Sequence, residues 1–398
     1  MKRILGILFL CSPAWAVTCP SGYTNYSVIT IDHTKVPNTD KSNFPVLVST
    51  TVPNLKTTGN GGHVQSSSGF DIVFSTANDG SSFLVAFDTE SYSASTGKIE
   101  TWVKIPTVSH TADTVFYVYY NNSGVSSFKG NTSGTWDTNY QAVYHMFNGT
   151  TLSANDATGN HNGTLENSPI ASAGQIDGAG GFATGSYIGS PGFYKNASDL
   201  NTGINDMSFT NGTIEWWVYY GYVYNDGAGD VDWGQLTDNT AGDPDFDCQK
   251  FADNNIYCGW NTQGGVDGRV IIAASSANHP QNTFTSYALV WTNGAQATLY
   301  HNGSLIGTAA NNTTVQNAGS PLFISKLSAF TGLDLYGEQV MDEFRVSNTN
   351  RSADWIATAY NSESSPQTFF TYGAEQTCSA GAATLGSNKA NKLNRLGD

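Results

Sequence analysis

Short runs that alternate apolar and polar residues recur along most of the chain, separated by turn-forming clusters. In KIETWVKIP, Ile99 and Val103 can point to one side of a strand while Trp102 points to the other. Other runs of this kind are YSVITID, FPVLVSTT, FDIVFST, FLVAFDTE and DTVFYVYYNN. Many short strands at this spacing predict an antiparallel β-sandwich between residue 23 and about residue 121.

A second β-rich series runs from about residue 140 to residue 374. Its strongest strand is GTIEWWVYYGYVY, followed by RVIIAAS, FTSYALVWT, ATLYHNGSLIGTA, PLFISKL and QVMDEFRVS. Asn302-Gly303 predicts a two-residue hairpin turn between alternating runs. One helix is predicted near Ser352–Asn361, with Ser352 as its N-cap. The series predicts an all-β jelly roll with one short C-terminal helix, so the fold class is all-β with two antiparallel β-sandwich domains.

The first residues, MKRILGILFLCSPAWA, are typical of a secretory signal peptide, with Lys2 and Arg3, an apolar run and a small-x-small ending at Ala16. No later segment has the roughly 20 apolar residues of a transmembrane helix. We therefore expect export, to the periplasm or the outside, after cleavage near Ala16. The expected division is a signal peptide (1–16), an N-terminal β-sandwich domain (17–125), a linker (126–139), a jelly-roll domain (140–374) and a flexible tail (375–398).

The net charge narrows the range of partners. The full chain carries a formal charge of −15, from 17 Lys and Arg against 32 Asp and Glu. Removal of Lys2 and Arg3 with the signal makes it 15 − 32 = −17. This charge disfavours nucleic acid and anionic membranes as partners.

The cysteines indicate at least one disulfide. In FDCQKFADNNIYCGW, Cys248 and Cys258 lie symmetrically about Asp253, as cross-strand partners in a hairpin would. Opposed strand positions come close enough for a disulfide, and an exported protein would oxidise the pair. The sequence leaves the pairing of Cys19 and Cys378 undecided.

Several motifs of the second series occur in a familiar order: AVYHMFNGTTLSANDATGNHNGT, GQIDGAGGFATGSYI, TIEWWVY, YALVWTNGAQATLYHNGSLIG and VMDEFRVSNTNRSADWI. Over about residues 140–374 the chain resembles the laminin-G-like, concanavalin A-like jelly rolls of secreted bacterial proteins. Residues 23–121 resemble a bacterial domain of unknown function that often precedes such a jelly roll. The resemblance implies a fold and a theme of surface or glycan binding, and it implies no established reaction.

Jelly rolls of this kind also include enzymes that cut glycans, so the adjacent carboxylates Asp342 and Glu343 need to be considered. Retaining glycosidases need two carboxyl groups about 5–5.5 Å apart across the scissile bond. Adjacent residues of a regular strand point to opposite faces, which predicts that these two cannot serve one bond. The chain also has no His-Glu-x-x-His and no Gly-x-Ser-x-Gly motif. We therefore favour a protein that is not an enzyme.

The resemblance also implies a structural calcium ion that ties an early turn of the jelly roll to its last strand. The early turn is NDATGNHNG, where Asp156 and Asn160 offer side-chain oxygens, and Asp342 would be the ligand from the last strand. The alternative is an Asx-turn at Asp156 and a hydrogen bond at Asp342. Glu343 is expected to be solvated and to form a modest ion pair with Arg345.

A second acidic stretch, DPDFDCQKFADNN, spaces Asp243, Asp245 and Asp247 like a calcium loop. An EF-hand is excluded because Cys248 stands where the loop needs Gly and Asn254 where it needs Glu. A looser calcium site and a solvated acidic loop both stay open.

Flat aromatic side chains on loops are typical sugar platforms. Trp233 and Trp260 flank the acidic stretch, so they are glycan-binding candidates together with Asp245; local packing of the two indoles is the alternative. The sequence predicts a secreted carbohydrate- or surface-binding protein, whose partner is a polysaccharide or a cell-surface glycoprotein. The alternatives are a glycan-active hydrolase or lyase, and a structural component of a cell-surface or phage-associated assembly.

Overall fold

The computed structural model describes residues 17–78, 84–146, 152–182, 186–188, 193–195, 198–236, 245–260, 268–310, 320–327 and 335–378. The predicted signal peptide, Asp243 and the predicted tail beyond Cys378 lie outside these residues.

The elements are almost all strands. The first are β1 (Asn25–Ile31), β2 (Lys41–Thr51), β3 (Val73–Ser75), β4 (Phe87–Tyr92), β5 (Lys98–Val108) and β6 (Thr114–Tyr120). Single 3-10 turns occur at His33–Lys35, Pro53–Leu55 and Thr58–Asn60. The next are β7 (Tyr140–Tyr144), β8 (Thr164–Glu166), β9 (Ile170–Ala173), β10 (Gly178–Gly181), β11 (Ser186–Ile188), β12 (Phe193–Lys195), β13 (Asp199–Asn201), β14 (Asn211–Tyr220), β15 (Asp230–Leu236), β16 (Asp245–Lys250), β17 (Asn255–Trp260), β18 (Val270–Ala273), β19 (Phe284–Thr292), β20 (Gln296–His301), β21 (Ser304–Ala310), β22 (Phe323–Ile324), β23 (Lys326–Leu327), β24 (Leu335–Tyr336) and β25 (Gln339–Ser347). The last strands are β26 (Phe370–Tyr372) and β27 (Gln376–Thr377), and the helices are α1 (Thr132–Thr135), α2 (Ala353–Ser364) and α3 (Pro366–Phe369).

The N-terminal sandwich consists of two antiparallel sheets. One has the order β26-β1-β6-β3 with β27 also on β1, and the other has the order β2-β5-β4. Val103 of β5 lies opposite Val46 and Phe87, and all three are buried in one core. Trp102 points to the other face and is also buried, because the rest of the molecule covers that face. The alternation predicted for this strand is therefore present, with both faces covered.

The C-terminal segment completes this first sandwich. Ile29 of β1 pairs with Tyr372 of β26, and Asn25 pairs with Thr377 of β27. A disulfide then joins Cys378 to Cys19, with Cα atoms 5.5 Å apart. Residues 370–378 thus belong to the N-terminal sheet, which corrects the predicted end of the jelly roll at residue 374 and the predicted start of a flexible tail at residue 375.

The jelly roll packs two large antiparallel sheets face to face. Their orders are β21-β20-β19-β14-β25-β10-β9, with β7 also on β25, and β18-β17-β16-β15-β22-β13-β8; β11, β12, β24 and β23 form a smaller sheet. Trp216, Trp233 and Trp291 are fully buried between the two large sheets. This confirms the predicted all-β architecture. Asn302 and Gly303 have φ values of 47° and 72°, so the predicted two-residue turn connects β20 and β21.

The predicted disulfide between Cys248 and Cys258 is confirmed. The two residues lie directly opposite each other in β16 and β17, with Cα atoms 4.1 Å apart. The symmetrical placement about Asp253 reflects the hairpin turn between these strands.

Helix α2 lies between the two sandwiches. Its N-cap is Ser352, whose side chain accepts a hydrogen bond from the backbone N–H of Trp355 at 3.1 Å, as predicted. On one side the ring of Trp355 packs edge-on against Phe44 at 4.7 Å. On the other side Tyr360 stacks on Trp217 of the jelly roll at 5.8 Å. The helix therefore joins the two domains, which explains why both of its faces carry aromatic side chains.

Candidate functional site: an interdomain cluster and an open hollow

A β-bulge in β25 places Asp342 and Glu343 on the same side of the sheet. Asp342 lies opposite Trp217 of β14, and the pairing slips before Arg345 lies opposite Glu215. Glu343, in the slipped part, has a φ of 50°. The prediction that the adjacent carboxylates face opposite sides is wrong, because a bulge interrupts strand alternation.

Both carboxylates are nevertheless shielded from solvent. Asp342 is 0% and Glu343 is 1% exposed. Glu343 is not the solvated residue that was expected, since the N-terminal sandwich and α2 cover this part of the outer sheet face. A polysaccharide chain cannot reach either carboxylate in this structure.

Glu343 belongs to a group of buried charged side chains between the domains, which we call the interdomain cluster. Its members come from β4, from the segment after β7, from β25 and from α2: Asp88, Glu90, His145, Glu343, Arg345 and Glu363.

His145 lies at the centre of the interdomain cluster. Its Nδ1 is 2.8 Å from Glu343 Oε1 and 3.1 Å from Glu90 Oε1. Its Nε2 is 3.2 Å from Asp88 Oδ2. Two carboxylates from the first sandwich and one from the second therefore converge on one imidazole.

Arg345 extends the interdomain cluster towards α2. Its two terminal nitrogens donate to Glu343 Oε2 and Glu363 Oε1, each at 2.6 Å. Glu363 also accepts a hydrogen bond from the Trp217 indole at 2.6 Å. The predicted Arg345–Glu343 ion pair is confirmed in its partners, and its surroundings are buried rather than solvated.

Aromatic rings surround the charged atoms. The Trp102 ring stacks on His145 at 6.0 Å, and the Arg345 guanidinium lies 4.4 Å from the same ring. The indole N–H of Trp102 donates to Glu90, and that of Trp136 donates to Asp88 at 3.2 Å. Apolar walls lower the local dielectric constant and strengthen every interaction between charges inside them.

Burial and mutual charge separate the protonation states of the carboxyl groups. Desolvation and the charge of Glu343 raise the pKa of Glu90 to about 8. Burial also raises the pKa of Glu343, but His145 and Arg345 outweigh it and bring that pKa to about 2. For His145 the desolvation is outweighed by Glu343 and Glu90, so its pKa lies well above the ordinary value. Near pH 7 the protein atoms alone give an ionised Glu343, a protonated Glu90 and an imidazolium.

The partners of Glu343 were not predicted from the sequence. Asp88 and Glu90 lie in an ordinary alternating strand, and His145 stands alone between apolar residues. The only local signal was Arg345, two positions after Glu343. The other members lie 57 and 198 residues apart along the chain in the His145–Asp88 and His145–Glu343 contacts.

The predicted calcium ligands lie in separate hydrogen-bonded groups. Both Asp156 oxygens accept protein hydrogen bonds, including backbone N–H groups of Val143, Asn160 and His161 at 2.8–2.9 Å. Asp342 instead accepts the backbone N–H of Ile176 at 2.9 Å. Donors that point at a carboxylate occupy the positions a cation would take, so Asp156 has the surroundings of the Asx-turn alternative. Calcium shared by Asp156, Asn160 and Asp342 stays a prediction.

The two tryptophans predicted as a glycan platform lie in the core. Trp233 is 0% and Trp260 is 2% exposed, and both rings pack against Phe246 between the sheets. The prediction is wrong for both, because they belong to regular strands whose side chains point inward. Asp245 begins β16, and its side chain lies outside the described residues.

An open hollow lies on the uncovered part of the outer sheet face, and we call it the edge hollow. Tyr219 lies opposite Val340, Val340 opposite Gly181, and Gly181 opposite Ile170, so four strands contribute one row of residues. The hollow has a volume of about 290 Å³, and Glu338 also lines it. Gly181 leaves the floor low between larger neighbours.

The aromatic wall of the edge hollow is held in place. The Tyr219 hydroxyl lies 3.2 Å from Asn282 Oδ1, and its ring packs against Phe284 at 5.5 Å. Ile170 on the other side is 62% exposed, and burial raises the pKa of Glu338. The hollow therefore combines a fixed aromatic ring, an exposed apolar side chain and a carboxyl group, which is the mixture that small polar ligands need.

Comparison with known proteins identifies the second domain. Residues 195–357 match the laminin G family model described as the concanavalin A-like lectin/glucanases superfamily. This domain of the chain is a concanavalin A-like jelly roll. No curated protein is similar enough to be matched. Among the described residues no helix is long and apolar enough to cross a membrane.

Solved structures resemble the chain at low identity. One is domain 4 of AbnA, an extracellular arabinanase from Geobacillus stearothermophilus, in complex with arabinotriose (14% identity, TM-score 0.38, 56% of this chain and 98% of that chain). Two others are the binding domain of botulinum neurotoxin DC in complex with SialylT (12%, 0.41, 56% and 51%) and the binding domain of Paraclostridial Mosquitocidal Protein 1 (17%, 0.40, 56% and 52%). The chain spans about half the length of these two toxin domains.

Proposed function

We propose that this protein is a secreted, non-enzymatic binding protein that recognises a carbohydrate, as a polysaccharide or on a cell-surface glycoprotein, through the edge hollow. The observation that carries the proposal is the row of Tyr219, Val340, Gly181 and Ile170 on an open face of the concanavalin A-like domain. A fixed tyrosine ring offers a flat face to sugar C–H groups, and the Glu338 carboxyl offers an acceptor for hydroxyls.

The surroundings of the acidic residues favour binding over cleavage. A glycosidase needs two carboxyl groups beside an open cleft. Asp342 and Glu343 are buried, and Glu343 is held by His145 and Arg345. The two disulfides, Cys19–Cys378 and Cys248–Cys258, support an oxidising compartment and hence export.

The test is binding of the mature protein to a panel of polysaccharides, with calcium and with EDTA, while released reducing ends are assayed. We expect binding without cleavage, and we expect Tyr219→Ala to weaken it by roughly tenfold, which equals about 1.4 kcal/mol. Gly181→Val should weaken it as well, because the added side chain fills the hollow.

Tyr257→Ala is the matched control, since Tyr257 is a partly exposed tyrosine on the other large sheet. Release of reducing ends would overturn the proposal in favour of an enzyme. A protein that binds no glycan would point to a structural role in an assembly. Binding that is lost in EDTA and in Asp156→Asn would support the calcium prediction.

A further inference from the structure

The centre of the interdomain cluster has the composition of a metal site. His145 Nδ1 and one carboxylate oxygen each from Glu90 and Glu343 lie within 4.8 Å of one another. The nitrogen is 2.8 Å and 3.1 Å from the two oxygens. Around an ion with bonds of about 2.0–2.2 Å, neighbouring ligand atoms lie roughly 3–3.5 Å apart, so small movements would admit an ion.

Each of these three side chains is fixed by a further partner. His145 directs its other nitrogen at Asp88 Oδ2, at 3.2 Å. Glu343 directs its other oxygen at Arg345, at 2.6 Å, and Glu90 accepts the indole N–H of Trp102. Carboxylate–histidine–metal arrangements have this second set of contacts, which orients the ligands and selects the histidine tautomer.

A separate observation points to a missing partner. Glu90 Oε2 is buried and has no hydrogen-bond partner among the described residues, although the Glu90 side chain is 0% exposed. The two oxygens of a carboxyl group share one carbon, so this atom lies beside Oε1 at the centre of the cluster. An unsatisfied buried oxygen is costly unless something else binds it, and a cation would do so.

We propose that the interdomain cluster binds one divalent transition-metal ion, held by His145 Nδ1, Glu343 and both oxygens of Glu90. One imidazole nitrogen with carboxylate oxygens suits Zn²⁺, whereas Ca²⁺ takes oxygen ligands alone. The ion would join β4 of the first sandwich to β25 of the second. This inference is independent of the proposed glycan-binding function.

The site also determines how the ion enters. The His145 side chain is 8% exposed and those of Glu90 and Glu343 are 0% exposed. The ion is therefore captured as the two sandwiches pack together, and metal must be present while the chain folds.

The experiment is elemental analysis of the full mature chain, prepared without a metal-affinity step and refolded with or without Zn²⁺. We expect about one zinc per chain after dialysis, and a melting temperature that is higher with zinc than after refolding in chelator. Glu90→Gln, which keeps the side-chain shape, and His145→Ala should both lower the zinc content.

The matched control is His33→Ala. His33 belongs to the more exposed group of Asp32, His33 and Asp113, where its Nδ1 lies 2.6 Å from Asp113. This variant should retain its zinc. The proposal fails if the wild-type chain takes up no metal and melts at one temperature in both preparations. It fails equally if zinc is bound but is unchanged in Glu90→Gln and His145→Ala.

Discussion

Asp232 is a carboxyl group enclosed in the core of the jelly roll. Its Oδ2 accepts hydrogen bonds from the Trp216 indole at 3.1 Å and from the Tyr220 hydroxyl at 2.7 Å. Desolvation raises its pKa to about 7, despite these two donors. The unfolded chain would titrate near pH 3.9, so between about pH 4 and pH 7 the folded state binds more protons than the unfolded state.

The stability that this proton provides is complete below about pH 4 and is lost as the pH rises through about 7. Asp232→Asn should therefore flatten the fall in unfolding free energy over that range by about 1 kcal/mol per pH unit. Urea unfolding at several pH values measures it. Asp253→Asn is the control, because Asp253 is exposed and its pKa is lowered. An unchanged slope in Asp232→Asn would mean that Asp232 does not titrate in this range.

Arg345 is the cation on which two buried carboxylates depend. Replacement by Met would leave Glu343 and Glu363 without the guanidinium, and breaking a buried ion pair in this way costs about 3–5 kcal/mol. Lys98→Met is the comparison, because the Lys98–Glu100 pair at 3.0 Å has a lysine that is 43% exposed. The exposed pair should cost less than about 1 kcal/mol in unfolding free energy. Equal losses in the two variants would contradict the importance assigned to burial.

Helix α2 begins at a cap that the sequence predicted and ends between two domains that it did not connect. Its buried side chains face both sandwiches, as Trp355 against Phe44 and Tyr360 against Trp217 show. The backbone N–H of Leu47 also donates to Ser362 at 3.2 Å. Local stability of this helix thus contributes to the packing of both domains.

Ser352→Ala should lower the unfolding free energy by about 1 kcal/mol, because it removes the acceptor for the first turn of α2. Ser352→Asp should retain most of the stability, since aspartate caps helices as well as serine does. Ser365→Ala is the control, because that side chain makes no cap hydrogen bond to α3. Thermal unfolding measures all three, and a loss in Ser352→Asp as large as in Ser352→Ala would contradict a capping role.

The two ends of the chain meet in one sheet. β26 and β27 pair with β1, and Phe369 and Phe370 are buried in the same core as the N-terminal strands. The N-terminal sandwich is therefore assembled from segments more than 300 residues apart, as the separation of 359 between Cys19 and Cys378 illustrates.

A chain truncated to residues 17–125 should consequently fail to fold, because it lacks β26, β27 and α2 and exposes the core that they cover. Residues 17–378 should fold under the same conditions. Dispersion of amide signals in NMR spectra distinguishes the two outcomes. A well-dispersed spectrum from residues 17–125 would show that the first sandwich is independent of the C-terminal segment.

Features whose causes lie within a few residues could be predicted from the sequence. The Asn302-Gly303 turn, the Ser352 cap and the Cys248–Cys258 bridge each depend on local backbone geometry. The prediction failed at Trp233 and Trp260, because a tryptophan beside an acidic stretch looks the same whether its strand faces the core or solvent. It failed at Glu343 because neither the bulge in β25 nor the covering domain has a local signature.

The sequence by itself determined the strand-rich fold, the turns, the cap and one disulfide, since alternation, φ preferences and short-range geometry act over neighbouring residues. Only the tertiary structure decided which sheet face is covered, where the C-terminal strands pair and which charges meet. The physical reason is chain separation: the Asp88–His145 and His145–Glu343 contacts join residues 57 and 198 positions apart. Burial at such contacts is a property of the packed domains, and no single segment encodes it.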